Sequence, residues 1–79
     1  MARVLLFGRL GDLAGWRERT FEPAPDSLDG LRGVIAAEDA ALGQALVDVQ
    51  VAVDLAIVRG DAPLRPDAEV AFLPPMSGG

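Results

Sequence analysis

A chain of 79 residues, 51% hydrophobic and 24% charged, has room for one modest core and lacks the charge excess of a disordered segment. Without histidine or cysteine it has no Ser/His/Asp triad, Cys/His pair, usual zinc ligands or disulfide, so no independent catalysis, bound cofactor or metal is expected. Seven basic residues, all arginine, stand against twelve acids, and the resulting charge of −5 repels phosphate backbones, which argues against nucleic acid as a partner.

The apolar runs, such as Val4 to Phe7, fall far short of the roughly 20 residues that cross a bilayer. Arg3 followed by that run is also too little for a signal peptide. No membrane association is expected, and the cytoplasm is the expected compartment. The absence of lysine leaves no ε-amine for isopeptide bonds, so conjugation can only run outward from the chain's own C-terminus.

In chain order, residues 3–8 (Arg-Val-Leu-Leu-Phe-Gly) predict a first strand that stops at glycine. Gly8, Gly11 and Gly15 punctuate what reads as a loop without a phosphate-binding fingerprint. Residues 16–22 alternate, with Trp16, Glu18, Thr20 and Glu22 against Arg17, Arg19 and Phe21, as a half-exposed strand does. Pro23 and Pro25 break the chain. Asp26 or Ser27 then caps a helix over 27–38 whose Leu28, Leu31 and Ile35 share one face. Gly30 and Gly33 each cost that helix about 1 kcal/mol relative to alanine, so it depends on packing against a sheet.

A short helix is predicted at 40–47, and Glu38-Asp39 reads as a solvated helix end rather than an acid/base pair. Val49, Val51 and Val53 form a period-two strand, with a turn at Asp54 and another strand over 55–59. Turns at 60–63 and 65–67 precede a last strand at 69–73, stopped by Pro74-Pro75. The order ββα(α)βββ is an α+β layout, a mixed sheet of about five strands with one main helix across it. That is the ubiquitin-like β-grasp. A ferredoxin-like fold would need a crossover helix within 54–73, which turns and β-formers already fill. The domain is thus 1–73, and 74–79 is a flexible tail.

The tail, Pro74-Pro75-Met76-Ser77-Gly78-Gly79, carries the chemistry. At average glycine usage a chance Gly-Gly end is an event of about 1% or less. A fraying stub would explain it, but less well than a probe does. Pro-Pro stiffens the exit toward polyproline II, while Gly-Gly lets a carboxylate enter a slot too narrow for side chains. Six residues at about 3.3 Å each project it roughly 20 Å, far enough to reach another protein's active site. Attack of the carboxylate on the α-phosphorus of ATP would give an acyl-adenylate, from which sulfur displaces AMP. With no cysteine, carried sulfur must sit on the terminal carbonyl as a thiocarboxylate, and with no Walker loop the adenylating machinery belongs to a partner.

These residues, Val53-Asp54 and Val70 to Gly79 together with Val4 to Phe7, resemble the small subunit of molybdopterin synthase, the MoaD family. The resemblance implies a sulfur carrier for molybdenum cofactor biosynthesis. An ATP-dependent adenylating enzyme activates Gly79, a sulfurtransferase supplies sulfur, and the tail with its thiocarboxylate enters the large subunit of a heterotetramer. There it sulfurates cyclic pyranopterin monophosphate. Asp54 stands where relatives commonly have asparagine, and Met76 where valine is commoner. Thiamine, cysteine and tRNA-thiolation carriers share the fold and the Gly-Gly end, and a non-covalent β-grasp adaptor is a further alternative.

Alternation places Val4, Leu6, Val70 and Phe72 toward the helix, and Leu5, Phe7, Ala71 and Leu73 away from it. Ile57 can join the outer set. An apolar patch beside the tail marks an interface, so Phe7, Ile57, Leu73, Pro74, Pro75, Met76 and Ser77 are the expected partner-binding residues. Gly79, supported by Gly78, is the sulfur-carrying end.

Overall fold

The computed structural model describes residues 1–74. Eight elements follow in order: β1 (Ala2–Leu6), α1 (Arg9–Ala14), β2 (Glu18–Phe21), α2 (Leu28–Glu38), α3 (Ala40–Ala45), β3 (Gln50–Val53), β4 (Ala56–Val58) and β5 (Glu69–Leu73). The five strands form one mixed sheet in the order β2-β1-β5-β3-β4. The central pair, β1 and β5, is parallel, and every other pair is antiparallel.

Alternate strand residues turn to one face, where α2 covers them. Val4, Leu6, Val51, Val70 and Phe72 meet Leu28, Leu31 and Ile35 of α2, Leu42 of α3 and Leu46 just after it, all buried. Ser27 caps α2, its Oγ accepting from the Gly30 amide at 3.0 Å. Asp39 caps α3 by accepting from Leu42 at 3.1 Å. The α2–α3 corner is tight because a Cβ at Gly43 would lie 2.5 Å from the Ala36 Cβ.

Three sequence expectations change. The loop expected between β1 and β2 is the helix α1, with Leu10 and Gly11 buried in it. Its glycines punctuate a helix rather than a loop: Gly8 precedes it at φ 57°, and Gly15, in the left-handed region, donates to the Gly11 carbonyl at 2.9 Å and ends it. Leu55 belongs to the turn rather than to β4, since Asp54 and Leu55 both have positive φ (51° and 72°). The Asp54 Oδ1 accepts from the Glu69 amide at 2.9 Å and ties this turn to the start of β5.

The Glu38-Asp39 pair, finally, is more than a solvated end. Arg19 forks onto Glu38 at 2.8 and 3.2 Å, while Asp39 is the α3 cap.

Candidate functional site

The pleat that fills the core leaves the opposite face of the sheet without a helix. Its residues can be followed across strands by register. Leu5 opposes Glu18 on β2 and Ala71 on β5; Ala71 opposes Ala52 on β3, which opposes Ile57 on β4. Nearer the end of β5, Leu73 opposes Gln50, and the Phe7 amide donates to the Phe72 carbonyl at 3.2 Å, carrying the β1–β5 ladder one step past β1. Phe7 is 46% exposed and Ile57 53%, whereas Leu5, Ala71 and Leu73 are half-buried among their neighbours.

The face is graded. At the start of β5, Arg3 pairs with Glu69 and lies 3.7 Å from Glu18, so that end is closed by its own charges. Toward the end of β5 the side chains become apolar and lead to Pro74. A Cβ on Gly8 would come within 2.9 Å of the Pro74 Cγ, so only a residue without a side chain lets Pro74 lie against the β1–α1 turn.

Of the residues expected to bind a partner, Phe7 and Leu73 stand at this end of the face beside Pro74. Ile57 lies two strands away and lines a groove that also reaches Pro74. Pro75, Met76, Ser77, Gly78 and Gly79 lie outside the described residues. Leu55, 90% exposed at the tip of the β3–β4 turn, extends the apolar surface past Ile57. Its exposure had no signal in the sequence, because a leucine in a left-handed turn position reads as strand.

Among the described residues no group of three or more His, Cys, Asp or Glu could hold a metal ion, and no helix is long and apolar enough to cross a membrane. The perturbed titrations lie elsewhere, at the β2 edge. There Arg19 stacks over Phe21 and Trp16 (4.5 and 5.3 Å to the ring centres) and holds the Glu38 carboxyl below the usual carboxylate range by hydrogen bonding. This cluster fastens β2 to α2 and does not reach the open face.

A five-stranded mixed sheet with one covered face and one bare face running toward Pro74 defines the ubiquitin-like β-grasp class. Within it the chain belongs to the ThiS family, which matches residues 4–79.

Solved structures of similar shape include the small archaeal modifier protein 1 of Methanosarcina acetivorans (20% identity, TM-score 0.84, covering 99% of this chain and 95% of that one). The protein of the same name from Haloferax volcanii is 21% identical with a TM-score of 0.80, covering 99% and 98%. A chain from the complex of subunits 1 and 2 of the molybdopterin-converting factor of Helicobacter pylori 26695 is 25% identical, with a TM-score of 0.72 and coverage of 99% and 97%. No curated protein sequence matches. The fold is that of the ThiS/MoaD-type ubiquitin-like sulfur carriers.

Proposed function

We propose that this chain is the sulfur-carrying small subunit of a molybdopterin synthase, with the Gly79 carboxylate as its reacting group. The observation that carries this reading is the continuity between the apolar end of the open sheet face, at Phe7 and Leu73, and Pro74, where the tail begins. A surface that docks and a slender arm that leaves from its edge divide the work as a two-chain active site requires. The complex of the two converting-factor subunits among the similar structures supports a large-subunit partner, and the ThiS family supports the carrier class.

In this reading a Gly79 carboxylate oxygen attacks the α-phosphorus of ATP on an adenylating partner, and pyrophosphate leaves. Sulfide delivered by a sulfurtransferase then attacks the carbonyl carbon; the C–S bond forms as the C–O bond to AMP breaks, leaving a thiocarboxylate. The chain binds no cofactor of its own, since ATP is held by the activating enzyme.

Two measurements test the proposal. Incubation with the cognate adenylating enzyme, ATP and sulfide should exchange one C-terminal oxygen for sulfur in the intact mass; an unchanged mass, with the enzyme active on another carrier, rejects it. Deleting Gly79 should leave large-subunit binding intact yet abolish sulfur transfer. The lost residue shortens the reach by about 3.3 Å, and a misplacement of about 1 Å already costs a factor near 100 in rate.

A further inference from the structure

Pro74 is the first residue after β5, and its ring rests against a single residue of the β1–α1 turn. That residue, Gly8, has φ 57°, a conformation that glycine adopts without strain. Gly8 is exposed and takes no part in the core. Among the described residues the only atoms within 4 Å of a Cβ built on it are the Pro74 Cγ at 2.9 Å and Cδ at 3.8 Å. A proline ring closes on its own backbone nitrogen, so no change of rotamer takes Cγ out of the way. A side chain at position 8 therefore has to move the backbone of Pro74 itself.

The seat is also fixed relative to the sheet. The Phe7 amide, one residue before Gly8, donates to the carbonyl of Phe72, two residues before Pro74, at 3.2 Å. The Gly8 carbonyl accepts from the Gly11 amide at 3.3 Å and from Arg17 Nη1 at 3.2 Å. Asp12 holds the same guanidinium through Nη2 at 2.6 Å. Helix α1, anchored in the core by Leu10, thus braces the residue on which Pro74 rests.

We propose that Gly8 is a positioning residue, which sets the direction in which the chain beyond Pro74 leaves the globule and so where the reacting end arrives in the partner's active site. The inference rests on the reading of Gly79 as that end. Pro75 follows Pro74 in the sequence, and a proline pair carries a direction forward because each ring fixes its own φ. Residues 75–79 span about 16 Å at about 3.3 Å each, so a turn of about 10° at the root displaces the tip by about 3 Å. A reacting atom misplaced by about 1 Å already loses a factor near 100 in rate. Docking on the open face draws on side chains that such a turn leaves in place. The effect of Gly8 therefore falls on transfer within the complex rather than on affinity.

The direction is tested on the full, isotope-labelled chain. Because the chain has no cysteine, a nitroxide on S77C is the only label, and its broadening of the globule's amides maps where the tail lies. The pattern should move in G8A and stay unchanged in G15A. Gly15 is the control for backbone strain: it too has a positive φ, 85°, but among the described residues nothing lies within 4 Å of a Cβ there. A pattern unmoved in G8A, or moved equally in G15A, overturns the proposal.

The consequence is tested by single-turnover sulfur transfer to cyclic pyranopterin monophosphate at saturating large subunit, with the thiocarboxylate installed by intein cleavage so that no activating enzyme is involved. G8A should slow transfer at least tenfold while its Kd for the large subunit stays within about threefold; G15A should change neither. In a P74A background, which lacks the ring carbon that Gly8 meets, G8A should slow transfer little further. Full-rate transfer by G8A, a loss accounted for by weaker binding, or the same loss with and without the Pro74 ring overturns the proposal. If the unaltered chain transfers no sulfur while the broadening pattern still moves in G8A, the carrier reading fails and the seat at Gly8 stands.

Discussion

Phe72 and Leu73 are neighbours in β5, yet one has no exposed surface and the other lies on the bare face of the sheet. The same holds at the end of β1, where Leu6 is buried and Phe7, the next residue, is 46% exposed. The covered face answers to packing: its side chains close on α2 and α3, and their cost of removal is paid in stability. The open face carries none of the buried core, and recognition is the duty we propose for it. A pleated strand thus separates the two duties by a single residue, and substitutions one position apart should act on different observables.

The largest effect is expected on the covered face. Phe72→Ala should lose about 3–5 kcal/mol of stability in urea unfolding, a large share of what a domain of this size has. A loss under about 1 kcal/mol would mean that the core is centred elsewhere.

Next comes its neighbour. Leu73→Arg should shift the unfolding free energy by no more than about 0.5–1 kcal/mol, while weakening large-subunit binding by about 2 kcal/mol, or roughly 30-fold. Calorimetry giving unchanged affinity would place the docking surface on another part of the molecule.

The smallest effect belongs to the ion pair at the rim of the covered side. Hydrogen bonds from Arg19 hold the Glu38 carboxyl below its ordinary range. Its contribution to stability is therefore present above the unfolded carboxylate pKa, near 4.3, and is lost as pH falls through the lower folded value. Because both partners are exposed the contribution is small and screened by salt. Melting curves of the chain and of Glu38→Gln between about pH 6 and 3 should converge at the acid end; parallel curves would show that the pair adds nothing.

Much of the architecture was legible in the sequence because the strands carry period-two patterns and α2 carries a clean i, i+3, i+7 stripe. Residues 27–38 announce their helix through Ser27, Leu28, Leu31 and Ile35, and the structure places it at Leu28–Glu38. Helix α1 was not legible. Three glycines within eight residues normally signal a loop, and only tertiary packing, with Leu10 in the core and Arg17 folded over Gly11, makes helix the better state.

Leu55 failed for the opposite reason: a strand-forming side chain occupies a turn that its neighbours Asp54 and Glu69 fix by hydrogen bonds. The apolar open face followed from alternation.

The central parallel pair has one more consequence, for how the molecule comes into being. Joining β1 to β5 brings together residues as far apart as Arg3 and Glu69, 66 positions along the chain. Such pairing is non-local, and loop closure must be completed before it is rewarded. During synthesis the first strand emerges early and waits for the last; until residues 69–73 leave the ribosome the middle of the sheet has a gap where β5 belongs. The segment that closes the gap is the one that leads to Pro74. Completion of the globule therefore waits for β5, and a chain truncated before residue 69 has no finished sheet.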